Sequence, residues 1–150
     1  MTKKRIRTIV AAAGGALAVV LAAGGIWMAT RDRSPQVTLQ VRQIGATGLD
    51  YTLHNAGVSD VYYGQDYALS RKEAGEWREL PLRSGELMLV NSILYTAPSG
   101  KADEPAKTIR WEDDYARLSP GVYRLSKWVS TDEQSRHTYP VSVEFTIPEV

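Results

Sequence analysis

The sequence predicts an all-β sandwich of seven or eight short strands, preceded by one N-terminal apolar helix. Three observations lead there. A charge-free apolar run of helical length opens the chain, segments with a period of two fill the rest, and turn residues interrupt them at roughly even spacing. Beyond the first run no stretch carries a sustained helical period.

The run, residues 9–30, reads IVAAAGGALAVVLAAGGIWMAT. About 20 mostly apolar residues span the hydrocarbon core of a bilayer as a helix. Lys3, Lys4, Arg5 and Arg7 precede it, which predicts that residues 1–8 stay in the cytoplasm and that the chain emerges outside. Trp27 stands near the far end, where an indole suits the membrane interface. Arg31 and Arg33 fall in a short linker, residues 31–36, marked by Ser34-Pro35. Ala22, Ala23, Gly24 and Gly25 also offer small residues to a signal peptidase. Retention as a signal-anchor is the expected outcome, and secretion after cleavage is the alternative. Either way residues 37–150 lie outside the cytoplasm.

The strands follow in order. Val37, Leu39 and Val41 alternate with Thr38, Gln40 and Arg42; Leu49, Tyr51 and Leu53 alternate with Asp50, Thr52 and His54, and Asn55-Ala56-Gly57 turns the chain. A third stretch runs over 61–63 to Gly64 and continues over 67–71. The polar turn 73–76 leads to a hairpin partner over 77–80. An apolar stretch over 87–95 ends at Pro98-Ser99-Gly100, and 108–111 is a short strand. Residues 112–118 are too few for a stable helix. They predict one helical turn capped by Asp113 or Asp114. Pro120-Gly121 turns into 122–129, and Val141, Val143, Phe145 and Ile147 alternate with polar residues in the clearest strand of the chain. The hydrophilic segment 99–106 is expected to be a mobile loop.

Charge and composition narrow the function. The totals are 18 basic and 17 acidic residues. Setting aside the six basic residues that flank the apolar run, and Asp32, leaves 12 basic against 16 acidic from Ser34 onward, a net of −4. Affinity for phosphate backbones comes largely from Lys and Arg, so nucleic acid is not an expected partner. The absence of cysteine removes disulfides, thiolate catalysis and Cys-based zinc sites. A domain of about 115 residues must then rely on its core, and it is large enough to bury one.

Residues 118–127, LSPGVYRLSK, carry the most information. Leu118 anchors the loop, Pro120-Gly121 makes a tight turn, and Tyr123 starts a strand near the C-terminus. That is the layout of a tyrosine corner in an immunoglobulin-like sandwich, where the ring packs inside and the hydroxyl bonds nearby backbone. The run also resembles the LxPGxYRxxK signature of a bacterial Ig-like domain family found on exported and membrane-attached proteins, with Leu118, Pro120, Gly121, Tyr123 and Lys127 as the matching positions. Other pieces match in order: Tyr51-Thr52-Leu53 with Asn55, Tyr63-Gly64 with Tyr67 and Leu69, Gly75 with Trp77, and Trp111 with Tyr115. The likeness covers most of residues 37–147. It implies an antiparallel Ig-like fold in an extracytoplasmic setting, and it brings no catalytic or ligand residue with it. The chain departs from many such proteins in lacking a lipobox cysteine, with the apolar run in the anchor's place.

No catalytic site is expected. His54 and His137 are the only histidines, and a triad with Ser92 or Ser135 would need a geometry the sequence does not signal; no GxSxG elbow occurs. The acids Glu112, Asp113 and Asp114, even with Asp66 or Asp103, lack the spacing of a calcium loop. No cofactor and no metal are expected. The candidate contact patch lies on the strand after the Pro-Gly turn. With Tyr123 and Leu125 inward, alternation turns Arg124 and Trp128 outward, and Lys127 follows on the same strand. Arg124 is placed either to pair with an acid across strands or to meet a partner. Of the aromatics Tyr62, Tyr63, Tyr67, Trp77, Trp111 and Trp128, most are expected in the core and Trp128 outside. The expected role is a non-enzymatic, membrane-anchored module for display or protein contact at the cell envelope. The alternative is a module that binds envelope polysaccharide or peptidoglycan through exposed aromatics.

Overall fold

Among the described residues, alternation of apolar and polar side chains is realised as ten strands in two antiparallel sheets. The computed structural model describes residues 35–83, 85 and 93–149. The predicted helix over 9–30 and most of the apolar stretch over 87–95 lie outside these. Among the described residues no helix is long and apolar enough to cross a membrane.

In the first sheet, β1 (Val37–Arg42) pairs with β2 (Gly48–Asn55), in register from Val37 opposite Asn55 to Arg42 opposite Asp50. In the second, β3 (Val61–Tyr63), β4 (Ala68–Glu73), β5 (Glu76–Glu79) and β6 (Tyr95–Ala97) gather around the strand that follows the Pro-Gly turn. The chain then returns to the first sheet as β7 (Lys101–Ala102) and β8 (Lys107–Arg110), both along the same edge of β2. The segment expected to be a mobile loop therefore holds a short strand and a cis Glu104–Pro105 bond. Gly48 makes the close pairing with β8 feasible, since a Cβ there would stand 2.3 Å from the Ile109 carbonyl oxygen. Finally β9 (Gly121–Ser130) and β10 (Tyr139–Ile147) pair along nearly their whole lengths.

β9 is the centre of the second sheet. One edge takes β10; the other takes β4 opposite its first half and β3 opposite its end. The sequence predicts a stretch over 61–63 to Gly64 that continues over 67–71. It is one line broken at residues 64–67, which leave the ladder opposite Lys127 and Trp128. β5 and β6 extend the sheet beyond β4 and β3. The β4–β5 hairpin turns on Ala74 and Gly75, with φ of 50° and 83°. Two positive φ angles in a two-residue loop make a type I′ turn, whose twist matches that of the strands.

The core lies between the sheets. Leu39, Leu49, Leu53 and Ile109 from the first meet Leu69, Leu125, Val129 and Phe145 from the second, all buried. Each such side chain contributes on the order of 1.5–3 kcal/mol on burial. Phe145 is stacked between Trp111 and Tyr123 at 5.9 and 5.8 Å, a column of rings that ties both sheets together. Trp111 is fully buried, and its indole N–H donates to the Ala46 carbonyl at 2.8 Å. The tyrosine corner is present: the Tyr123 hydroxyl donates to the Ser119 carbonyl at 2.7 Å. Arg71 closes the same corner, over the Tyr123 ring and donating to the Pro120 carbonyl. Residues 112–115 make the expected single turn, with the Tyr115 N–H on the Trp111 carbonyl at 2.7 Å. Asp114 does not cap it; its carboxylate accepts the Tyr67 hydroxyl at 2.8 Å.

Candidate functional site

Strand period decides what each β9 side chain faces. Tyr123, Leu125, Lys127 and Val129 point into the sandwich, and Val122, Arg124, Ser126 and Trp128 point out. Lys127 is thus an interior residue, fully buried, and no part of the polar surface around Arg124.

The interior site forms where the β3–β4 line breaks. Residues 64–67 turn away from the ladder and leave carbonyls without strand partners. The Lys127 ammonium donates to two of them, Gly64 at 3.0 Å and Asp66 at 2.9 Å. It also lies 5.1 Å from the ring centre of Tyr51 and 5.6 Å from that of Tyr63. Burial pushes its pKa down from 10.5 to about 8, against the opposing pull of Asp66 and with help from nearby Lys107. Lys107 is held by Asp103 at 2.6 Å and stands over Tyr95 at 4.6 Å, and Tyr63 donates its hydroxyl to the same carboxylate. Burial first, then that hydrogen bond, raises the Tyr63 phenol well above its ordinary value. Among the described residues no buried side-chain nitrogen or oxygen lacks a hydrogen-bond partner, and the cluster fills a gap in the sheet.

The outer face of the second sheet differs. Its rows read, from β5 to β10, Glu79–Ser70–Arg124–Glu144, then Ala68–Ser126–Ser142 from β4 onward, with Trp77–Lys72 and Val122–Thr146 on the other side of the first. Trp128 and Pro140 make the next row. The small side chains of Ala68, Ser70, Ser126 and Ser142 form a low floor between larger ones. Arg124 does not pair with Glu144, its neighbour in register. Its guanidinium reaches across Ser70 and lies 4.3 Å from the ring centre of Trp77, with the Lys72 ammonium 5.6 Å from the same ring. The expected Arg124–Trp128 pair is therefore separated. Four strand residues put the two about 13 Å apart, and the aromatic beside Arg124 is Trp77. Trp128 is half-buried and lines a groove of about 550 Å³ with Tyr67, Leu80, Pro81, Leu82 and Tyr115. Leu80 is bound in place by its N–H on the Leu69 carbonyl at 2.8 Å.

The remaining candidates stay apart. His54 is half-buried on β2, paired with Thr38 and Ala102, and His137 is exposed in the β9–β10 loop. Glu112 and Asp113 are exposed, while Asp103 and Asp114 are taken up by tyrosines. Among the described residues no group of three acids or histidines is arranged to hold a metal ion. Trp77 was legible only as a hairpin residue. Its place beside Arg124 depends on the joint register of β5, β4 and β9, which no local signal carries.

Comparison with known proteins places this architecture. The profile of the bacterial Ig-like domain matches residues 25–146, and the chain belongs to that family. No curated protein sequence matches significantly. Similar solved structures include the archaellum periplasmic stator protein FlaG of Sulfolobus acidocaldarius. That match is 17% identical, covers 75% of this chain and all of that one, and has a TM-score of 0.38. The complex of FlaF and FlaG from the same organism gives 16% identity, 77% and 93% coverage, and a TM-score of 0.39.

Proposed function

We propose that this bacterial Ig-like chain is a non-enzymatic contact module of the cell envelope, anchored by residues 9–30 with its domain outside, and that it meets a protein partner through the outer face of the second sheet. The observation that carries the reading is the Trp77–Arg124–Lys72 group beside a floor of Ala68, Ser70, Ser126 and Ser142. A fold does not need an indole held half-exposed by two cations, whereas contact surfaces favour Trp and Arg near their centres. Low side chains between tall ones also leave room for an incoming chain to lie along the strands. The sugar-binding alternative finds less support at Trp77. A pyranose stacks on a bare ring face, and here a guanidinium already covers the indole.

Site-specific photocrosslinking of the full chain in intact cells tests this. A photoreactive residue at Ser126 is expected to give one discrete protein adduct, which Arg124→Ala with Trp128→Ala abolishes. The same residue at Gln40, on β1 of the other sheet, is expected to give none. Equal adducts from both positions, or an adduct indifferent to the double change, would rule the face out. Adducts to wall glycan instead of protein would favour the polysaccharide reading.

A further inference from the structure

Resting on that contact reading, we infer that Lys72 and Arg124 form a clamp for a single carboxylate of a protein partner, an Asp or Glu side chain set down over Ser70 beside Trp77. The two cations come from adjacent strands. Lys72 stands opposite Trp77 on β5, and Arg124 stands opposite Ser70 on β4, so they are diagonal neighbours on one face. Diagonal positions in an antiparallel pair are roughly 7–8 Å apart, and both heads gather at the one indole, 5.6 and 4.3 Å from its centre.

Neither cation is already satisfied. Among the described residues, the side chains of Lys72 and Arg124 have no carboxylate within ion-pair distance and donate no hydrogen bond. Their one shared partner is the Trp77 ring. Arg71, next to Lys72 on β4 and facing the other way, shows the contrast: its guanidinium also lies over a ring, but it spends a donor on the Pro120 carbonyl. A guanidinium resting on an aromatic face keeps its N–H edge free, and that edge matches a carboxylate with two parallel bonds. The indole fixes the side chain, so less freedom is lost when the anion arrives. Ser70, opposite Arg124 and two residues before Lys72 on the same face, adds a hydroxyl beside them.

The neighbours select the kind of anion. Glu79 and Glu144 flank this row on either side. They leave one positive notch rather than a positive field, and the domain as a whole is acidic. A phosphate polymer or an anionic bilayer presents many charges at once and is repelled by those rims. A lone carboxylate on a protein segment enters between them. The sheet face, with its Ala–Ser floor, accepts the rest of that segment.

The test uses the full chain in non-ionic micelles, with the Trp77 indole N–H followed by NMR and assigned through Trp77→Phe. Glutarate serves as the carboxylate probe, glutaramide as its neutral analogue and sulfate as a second anion. Glutarate is expected to shift the Trp77 signal saturably in the millimolar range, with Arg124→Gln and Lys72→Gln each weakening it about tenfold, the loss of one charge-assisted bond. Glutaramide should leave the signal still. The proposal is overturned if glutarate gives no saturable shift, if Arg124→Gln with Lys72→Gln leaves the shift intact, or if sulfate binds as tightly as glutarate. The crosslink from Ser126 separates the two readings. If it persists while glutarate fails, the contact face stands and the clamp falls; if glutarate binds but no crosslink forms, the contact face falls.

Discussion

Replacing Lys127 with methionine, at two pH values, isolates the buried amine. Methionine is similar in length and fills the space between Tyr51 and Tyr63, so the change removes the nitrogen and little volume. Two carbonyls, of Gly64 and Asp66, lose their donor. A buried acceptor left without a partner costs about 1–3 kcal/mol, so the pair costs about 2–6. Against this stands the cost of keeping the amine charged. Its pKa falls from 10.5 to about 8 in the folded protein, and at neutral pH that depression corresponds to about 3 kcal/mol. Near pH 7 the two terms largely offset, and the variant is expected to lose little. The balance changes as pH rises. A lysine with a lowered folded pKa leaves the unfolded chain holding more protons between 8 and 10.5, so stability climbs through that window. From pH 7 to 9.5 the gain is about 2 kcal/mol in the parent and none in the variant. The neutral amine retains two N–H groups, one for each carbonyl, so its geometry survives deprotonation. Burial raises the phenols of Tyr51, Tyr63 and Tyr67, which makes both proteins lose stability as pH passes 10. That loss cancels in the difference. Urea unfolding of residues 35–150, one compact unit, at pH 7 and 9.5 reads the gap directly. A gap that stays constant or narrows with pH refutes the account of Lys127 as a desolvated structural amine.

Two smaller changes probe the turns that frame the sheets. Tyr123→Phe removes the hydroxyl bond to the Ser119 carbonyl and should lower stability by about 1 kcal/mol; thermal melts checking this should show no change if the corner owes nothing to the hydroxyl. Ala74 holds a φ of 50° in a type I′ turn, a conformation Asn adopts more readily. Ala74→Asn is therefore expected to raise stability by about 0.5–1 kcal/mol, measured by denaturant midpoint, and a lowered midpoint would contradict the turn assignment.

How much of this was legible depends on how far apart the causes lie. β1, β2, β9 and β10 follow from period two alone, because each buries one face of a long strand. The tyrosine corner was legible because its parts, Leu118 to Tyr123, are neighbours in the chain. β7 escaped notice because two residues carry no period, and it exists only as a partner to the end of β2. The stretch after Gly64 reads as a continuation because Tyr63 and Tyr67 both prefer a sheet, and nothing local signals that residues 64–67 leave the ladder. Lys127 is instructive in another way. As a charged residue it groups with Arg124 on a polar surface in the sequence, although strict alternation from Tyr123 and Leu125 points it inward; an interior lysine makes sense only once the carbonyls at 64 and 66 are known to face it. Trp77 and Arg124 meet across three strands, 47 positions apart in sequence, and no pattern within either segment announces it.

β9 therefore presents two cations on opposite faces, three positions apart, each held against aromatic rings, and the difference between them separates structure from contact. Lys127 spends two donors on backbone oxygens fixed by the fold and sits where water does not reach. Removing it acts on the domain's own stability, and most clearly as pH rises. Arg124 leans on one indole, leaves its donors in solvent, and ignores the Glu144 carboxylate directly opposite in the ladder. Pairing with Glu144 across an exposed face would contribute little, since exposed ion pairs are worth about 0–1 kcal/mol. Stacking on Trp77 restricts the side chain without satisfying it. A cation placed this way adds little to the fold and retains most of its hydrogen-bonding capacity for a second molecule, so losses on changing Arg124 should fall on binding rather than on stability.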